Sequence, residues 1–464
     1  MPVGRRTALQ EGGDGRGWLS GRSGWHGGCL RTPAGRVPLR KKQRDVDERL
    51  RRITAKLARV PRLPARGRSF GEERHGFYLG PPLTERQVSA FEAQHGVRLP
   101  AAYRRFLTEV GHDGAGPHYG LLPLTDWNVD GSTATGHLAR PFPVEPAVRV
   151  GQDWWQRLGR PRPPFSGTMA ITSQGCSYLT ALVVTGPARG RVVNIDLDPE
   201  RELFFSPDTD FLAWYERWLD ETADGLDTGG FSLSIPGTEP TLADTLTTSP
   251  DPELRIAAAR TLRRRPYLAP TTRAVLRAAV ASDPEPVVRA SAITTLNVAP
   301  TDEDLRVLYQ ALADPAPAVR EAAVRTLARR GTFWQAKARW LLRDEDPEVK
   351  KAALKALEDS QVLTEEDVLP LRDDSAASVR AAVISHLSPL DAPSAPATTR
   401  AALADPDSLP RVTAVAIGIR RRWLTETDLR AVEHDLDDQI RKRVTSALTR
   451  MTRRSAGSAS PRTR

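Results

Sequence analysis

Between residues 84 and 110 the apolar positions recur at helical spacing, interrupted once. Val88, Phe91 and His95 share one face, and Tyr103, Phe106, Leu107 and Val110 fall at i, i+3, i+4 and i+7 of a second stripe. Thr84 with Gln87 three positions on reads as a capping box, Gly96 as the left-handed residue closing the first helix, and Pro100 as the restart of the second. Gly111, Gly114, Gly116 and Pro117 then break the chain before residues 119–124. Further on the pattern becomes strand-like. Residues 168–172 make a short strand, 175–186 a β-rich run closed by Gly186-Pro187, and 191–198 an alternating strand that forms a hairpin across 187–190. Phe211, Trp214, Tyr215 and Trp218 return to helical spacing before Gly225. Ahead of all this, Val46, Leu50, Ile53, Leu57 and Val60 step by 4, 3, 4 and 3 along a basic helix. That seam suits docking on the domain that follows, and its charge would also suit anionic lipid or RNA.

After residue 249 the chain repeats itself. Asp283-Pro-Glu-Pro-Val-Val-Arg289, Asp314-Pro-Ala-Pro-Ala-Val-Arg320, Asp346-Pro-Glu-Val-Lys350 and Asp374-Ser-Ala-Ala-Ser-Val-Arg380 are one unit, with weaker copies ending at Arg255, Arg411 and Arg441. The basic residue advances by 34, 31, 30, 30, 31 and 30, and a helical period near 30 means a stacked solenoid. In each unit the Asp is expected to cap the helix and Pro to take its first turn. Val319, Ala322, Ala323 and Leu327 then face the next repeat. The repeated Arg is expected to join aspartates of adjacent turns in a structural ladder, with Arg441-Lys442-Arg443 at the terminal cap.

The first half resembles the SUKH superfamily, the Smi/Knr-type domain. The resemblance is carried by Phe91-Glu92, Gly96-Val97-Arg98-Leu99-Pro100, Tyr103 with Phe106-Leu107, the GAGP-x-YGL segment at 114–121, and the closing Trp-Tyr-x-x-Trp-Leu at 214–219. Phe70-Gly71, His75 and Phe77 fit the family's opening segment. The chain departs from it at 111–114, which reads Gly-His-Asp-Gly where Asn-Gly-Gly is common. The repeats resemble short HEAT repeats, of the kind also found beside phycobilin-lyase-type domains. The expected fold class is thus an α+β SUKH-like domain, a sheet with flanking helices, followed by an all-α HEAT-like solenoid. The expected order is a disordered basic Gly/Arg-rich segment (1–41), the SUKH domain with its leading helix (42–225), a linker (226–249), the solenoid (250–452) and a disordered tail (453–464).

Charge is distributed unevenly along the 464 residues. Residues 1–70 hold 18 Lys+Arg against 5 Asp+Glu, whereas 71–225 hold 14 against 20. A nucleic-acid role would therefore rest on the basic ends, through nonspecific phosphate contacts. No apolar run is long enough to span a membrane and no secretory h-region opens the chain, so the expected location is cytoplasmic. Cys29 and Cys176 are too few and too dissimilar in surroundings for a disulfide framework or a cysteine zinc site.

The chemistry-bearing residues suggest no enzyme and no cofactor. His112 and His118 bracket Asp113 but announce no third ligand, and read as surface turn histidines. Asp196, Asp198, Asp208 and Asp210 sit where Asp favours turns and caps. No P-loop, nucleophile elbow or HExxH helix occurs. The candidate partner-binding residues are Trp127, Trp154 and Trp155 with Asp126, Asp130 and Asp153, since aromatics favour interfaces and carboxylates suit a basic partner. The same tryptophans could equally complete a small core. The resemblance implies a protein-binding protein, and bacterial SUKH domains commonly act as immunity proteins that occlude a toxin, here a basic one such as a nuclease. An intracellular scaffold or regulator is the alternative.

Overall fold

The computed structural model describes residues 39–68, 70–128, 136–146, 165–197, 203–328 and 335–458. Helix α1 spans Leu39–Arg59, so it begins inside the stretch expected to be disordered; residues 1–38 lie outside the described residues. Leu50, Ile53 and Val60 of the seam are buried, which is the docked arrangement. Two short helices follow, α2 (Glu85–His95) and α3 (Ala101–Glu109). The Thr84–Gln87 capping box and the left-handed Gly96 close the two ends of α2 as the sequence requires.

Four antiparallel strands form a meander: β1 (Thr168–Gly175), β2 (Tyr178–Val183), β3 (Val192–Asp196) and β4 (Leu203–Phe205). Gly175 pairs with Tyr178, so a tight turn at Cys176-Ser177 divides the run read as beginning at 175. Cys176 sits at φ 49°, a left-handed conformation that its side chain does not advertise. The loop 111–121 lies beside β1, bridged at Leu121–Thr172. Its glycines are structural. Gly114, at φ 92°, leaves only 2.2 Å between a would-be Cβ and the Tyr78 carbonyl oxygen.

Helix α4 (Phe211–Ala223) closes the domain and supplies its largest buried side chains, Trp214, Trp218 and Tyr215. Phe106 of α3 meets Phe211 and Tyr215 at ring distances of 5.0 and 4.8 Å. The Tyr215 hydroxyl donates to the Ala115 carbonyl at 2.6 Å, tying the helix to the glycine loop. On its other side α4 receives the basic face of α1. Arg49 reaches Asp210 at 2.9 Å, Arg52 reaches Glu216 at 2.7 Å, and Lys56 reaches Glu216 and Asp220 at 2.8 and 2.6 Å. Burial pushes the Glu216 carboxyl up, but the hydrogen bonds from Arg52 and Lys56 outweigh it and hold the group below its usual range.

The stretch 226–249, expected to be a linker, is structured. Thr228–Leu233 forms a 3-10 segment that buries Phe231, and α5 (Glu239–Thr248) begins the solenoid with a Thr238 cap. Hairpins follow: α5 with α6 (Pro252–Leu262), α7 (Pro270–Ser282) with α8 (Pro286–Leu296), and α9 (Asp302–Ala311) with α10 (Pro317–Leu327). Next come α11 (Gln335–Leu341) with α12 (Pro347–Asp359), α13 (Glu365–Val368) with α14 (Ala377–Leu387), and α15 (Ala395–Ala401) with α16 (Ser408–Arg421). The last described pair is α17 (Glu426–Ala431) with α18 (Asp438–Ser458). α18 therefore runs into the expected disordered tail; residues 459–464 lie outside the described residues. Val319, Ala323 and Leu327 are fully buried in the repeat core.

Two polar ladders bind successive hairpins. In the first, Arg255, Arg289, Arg320, Arg380 and Arg411 each grip the aspartate of the next hairpin through two nitrogens: Asp283, Asp314, Asp344, Asp405 and Asp435. Lys350 meets Asp374 as a single contact. The aspartate's backbone role differs from the expected helix cap. Asp283, Asp314, Asp344, Asp374 and Asp405 accept from the amide two residues on, at the N-cap residue itself, and so shape the turn before the helix. Asp346 is a true N-cap, accepting from Glu348 and Val349.

The second ladder has twice the period. Capping boxes recur at Thr301, Thr364 and Thr425, on every second hairpin. Their third-position aspartates also face an arginine from the hairpin before: Arg273–Asp304 at 2.6 Å, Arg339–Asp367 at 2.9 Å and Arg400–Asp428 at 3.9 Å. The solenoid is thus built from two-hairpin units of about 62 residues.

Arg320 is 7% exposed, and removing it strands Asp344 in a half-dry seam. Arg320→Ala should lower stability by about 2–4 kcal/mol. Arg325→Ala breaks only an exposed pair with Glu321 and should cost under about 0.5 kcal/mol. Urea unfolding of the two variants checks the ladder: similar midpoints would mean that the paired arginines contribute no more than surface ones.

Candidate interaction surfaces and the domain junction

The proposed partner-binding residues are only partly described. Asp126 is exposed at the end of the short 3-10 turn Leu124–Asp126. Trp127 is half-buried, its ring 4.9 Å from His95 and 5.6 Å from His137, and its carbonyl accepts from Ala170 of β1 at 2.8 Å. It is a wall of the domain as much as a surface. Asp130, Asp153, Trp154 and Trp155 lie outside the described residues, so the structure joins only Asp126 and Trp127.

Of the other singled-out residues, His112, His118, Asp208 and Asp210 have structural partners, and Asp198 lies outside the described residues. His118 is 2% exposed, which corrects its reading as a surface histidine. Its Nε2 lies 3.0 Å from Ser232 Oγ, at a backbone φ of 55°. His112 Nδ1 sits 2.7 Å from the Pro81 carbonyl oxygen. Both carboxylate oxygens of Asp208 accept from Arg217, and Asp210 caps α4 by accepting from the Ala213 amide. Among the described residues no group of His, Cys, Asp and Glu is placed to hold a metal ion, and no helix is long and apolar enough to cross a membrane.

The charge picture also shifts once the docked part of α1 is counted. Residues 47–225 hold 22 Lys+Arg against 22 Asp+Glu. The acidic surplus read from 71–225 is matched by basic residues that precede it, three of them in ion pairs on α4.

A buried polar assembly lies where the two halves meet. Arg217, 8% exposed, holds Asp208 on one side and Glu221 Oε1 at 2.8 Å on the other. Glu221 Oε2 accepts from Arg264 Nη1 at 2.6 Å, at the end of α6. Arg264 Nε donates to the Asp227 carbonyl at 2.6 Å, and the Asp227 amide donates back to the Arg264 carbonyl at 2.9 Å. The Phe231 ring fills the space beneath, 4.0 Å from the Arg217 guanidinium carbon. Ile235 adds a bond to Thr261 Oγ1 at 3.0 Å.

Comparison with known proteins fits this two-part architecture. The SMI1/KNR4 family (SUKH-1) profile matches residues 82–214, and a HEAT-repeat profile matches 229–297 and 305–388. The chain carries a SUKH-1 domain followed by HEAT repeats. Both families are, in general, non-catalytic protein-interaction modules. Among solved structures, YibA of E. coli is similar over 51% of this chain and 88% of its own, at 16% identity and TM-score 0.36. The CpcE–CpcF complex of phycocyanin lyase from Nostoc sp. PCC7120 matches 47% of this chain and 96% of its own, at 20% identity and TM-score 0.27. Kap121p, solved bound to Ste12p, matches over 45% of this chain and 25% of its own, at 15% identity and TM-score 0.34. No curated protein matches the chain. The HEAT profile begins at 229, within the stretch expected to link the two halves, where Phe231 is buried.

The buried SUKH histidine sets a pH response. Burial, and then the nearby Arg264 guanidinium, push the His118 imidazole down to about 4. An unfolded chain protonates this residue near pH 6.5 and the folded chain only near 4, so acid draws protons onto the unfolded state. The contribution is absent above about pH 6.5 and grows to a loss of up to about 3 kcal/mol as pH falls toward 4. His118→Asn tolerates the positive φ and removes the titrating group. Its unfolding midpoint should fall less steeply between pH 7 and 4.5 than that of the parent chain; parallel slopes would show that His118 takes up protons equally in both states.

Proposed function

We propose that this chain is a cytoplasmic, non-enzymatic protein-binding protein of the immunity type, which neutralises a toxin domain, a nuclease being one such class, by covering its surface. The observation that carries the reading is the locked junction. Arg217, Glu221 and Arg264 hold an interaction domain and an interaction solenoid as one body. A preorganised body loses little freedom on association, which favours the tight occlusion that neutralisation needs. The SUKH-1 match supports the class, because bacterial members commonly serve in immunity. The absence of chemistry in the reading is supported by His118, Asp208 and Asp210 having structural partners.

The proposed partner-binding residues are Asp126 and Trp127, together with Asp130, Asp153, Trp154 and Trp155, which lie outside the described residues. With residues 47–225 balanced in charge, attraction of a basic toxin would rest on these local carboxylates rather than on a long-range field. The toxin domain encoded beside this gene should co-elute with the full-length chain on size exclusion. Asp126→Lys should weaken the complex at least tenfold by calorimetry while leaving the melting temperature unchanged. A neighbouring toxin that elutes alone and stays active in excess of this protein overturns the reading.

A further inference from the structure

A second surface lies at the junction and shares no residue with Asp126–Trp127. Residues 65–68 cross the end of α4, fastened where the Gly67 amide donates to the Thr222 carbonyl at 2.8 Å. The fit is close: a Cβ on Gly67 would lie 1.9 Å from the Leu226 carbonyl oxygen. Opposite, residues 263–267 leave the end of α6. Between the two runs opens a groove of about 970 Å³.

Its walls are basic and aromatic. Arg68 and Arg263 are exposed and make no side-chain ion pair among the described residues. Phe70 and Tyr267 stand 54% and 79% exposed on the same groove. Arg264 lines it while itself only 7% exposed, and its Nη2 has no acceptor, although Nε and Nη1 are both bonded. The Nε of neighbouring Arg265 is likewise buried without a partner. Such orphaned guanidinium nitrogens carry a desolvation cost that an incoming oxyanion would offset. Burial already pulls the Arg264 guanidinium below its ordinary range.

We propose that this groove binds a short acidic segment of a partner protein, its carboxylates met by Arg68, Arg263 and Arg265 and a flanking apolar residue by Tyr267 and Phe70. Arginine beside exposed tyrosine is the composition from which interface hot spots are drawn. The positive charge is local. Arg66 is already held by Glu72 at 2.7 Å, and Asp227 lines the same groove. A few carboxylates would satisfy the remaining charge, whereas a nucleic-acid strand would carry its phosphates beyond it. This proposal goes beyond the immunity reading, and either can fail alone, because its probe contains no toxin.

The test uses the full-length chain and a labelled twelve-residue peptide of Glu, Tyr and Gly, read by fluorescence anisotropy at about 0.1 M salt, where the Debye length is about 10 Å. Saturable binding is expected. Arg68→Glu with Arg263→Glu should weaken it at least tenfold and Tyr267→Ala about threefold, whereas Arg86→Glu, at an exposed position outside the groove, should leave it unchanged. These side chains are exposed, so unchanged thermal melting separates lost binding from lost fold. The proposal is overturned if the peptide does not bind, if the paired charge reversal leaves its affinity intact, or if a thymidine oligonucleotide of equal charge binds more tightly.

Discussion

Glu221 is the carboxylate on which both halves of the molecule lean. It lies in the last turns of α4 with one oxygen on Arg217 and the other on Arg264, and all three side chains are mostly buried. Removing such charges from water is costly, and only a fully matched arrangement recovers the loss. The match requires Asp208 behind Arg217, the Asp227 carbonyl behind Arg264 and the Phe231 ring beneath. A modest change in the angle between domain and solenoid would break several of these contacts together. The junction is therefore held in one geometry, and it bears on the groove beside it through Arg264 and Asp227, which belong to both.

The remainder of the solenoid uses the opposite strategy. Its polar contacts join each hairpin to its neighbours, and its apolar core is laid down in the same increments. Stability of that kind accumulates from neighbour to neighbour rather than from one central cluster. The first hairpin belongs to both schemes. The turn after α6 carries the arginine that reaches Glu221, and Arg255 within α6 starts the ladder at Asp283.

Periodicity makes most of this legible in the sequence. The stripes of α2, α3 and α4, the paired strands around 187–190 and the thirty-residue repeat all follow from spacing, because burial imposes its own period on the chain. What spacing missed lacked a periodic signature. β4 is three residues long, and the Cys176-Ser177 turn uses no glycine or proline at its left-handed position. α5 is rich in threonine and reads as linker, yet burial of Leu242 and Leu246 overrides its weak propensity. His118 lies in a glycine-rich loop of the kind usually found at a surface; only the tertiary arrival of Ser232 encloses it. The Arg263-Arg264-Arg265 run was not singled out from the sequence, and nothing local distinguishes the buried Arg264 from the exposed Arg263 beside it. Of the candidate partner surface, the aromatic–acidic composition was legible and the wedging of Trp127 between two histidines was not.

The doubled ladder carries an implication for how such an array can change length. Arg273, Arg339 and Arg400 lie on alternate hairpins, and each needs the capped aspartate that only the following hairpin provides. Excision of one hairpin would bring like to like, setting an arginine against a helix start with no carboxylate. Excision of two would rejoin compatible edges and preserve both ladders across the scar. The heritable unit of growth or loss in this solenoid is thus the pair, and the opening hairpin, committed to Glu221, stands outside that exchange as a fixed adaptor.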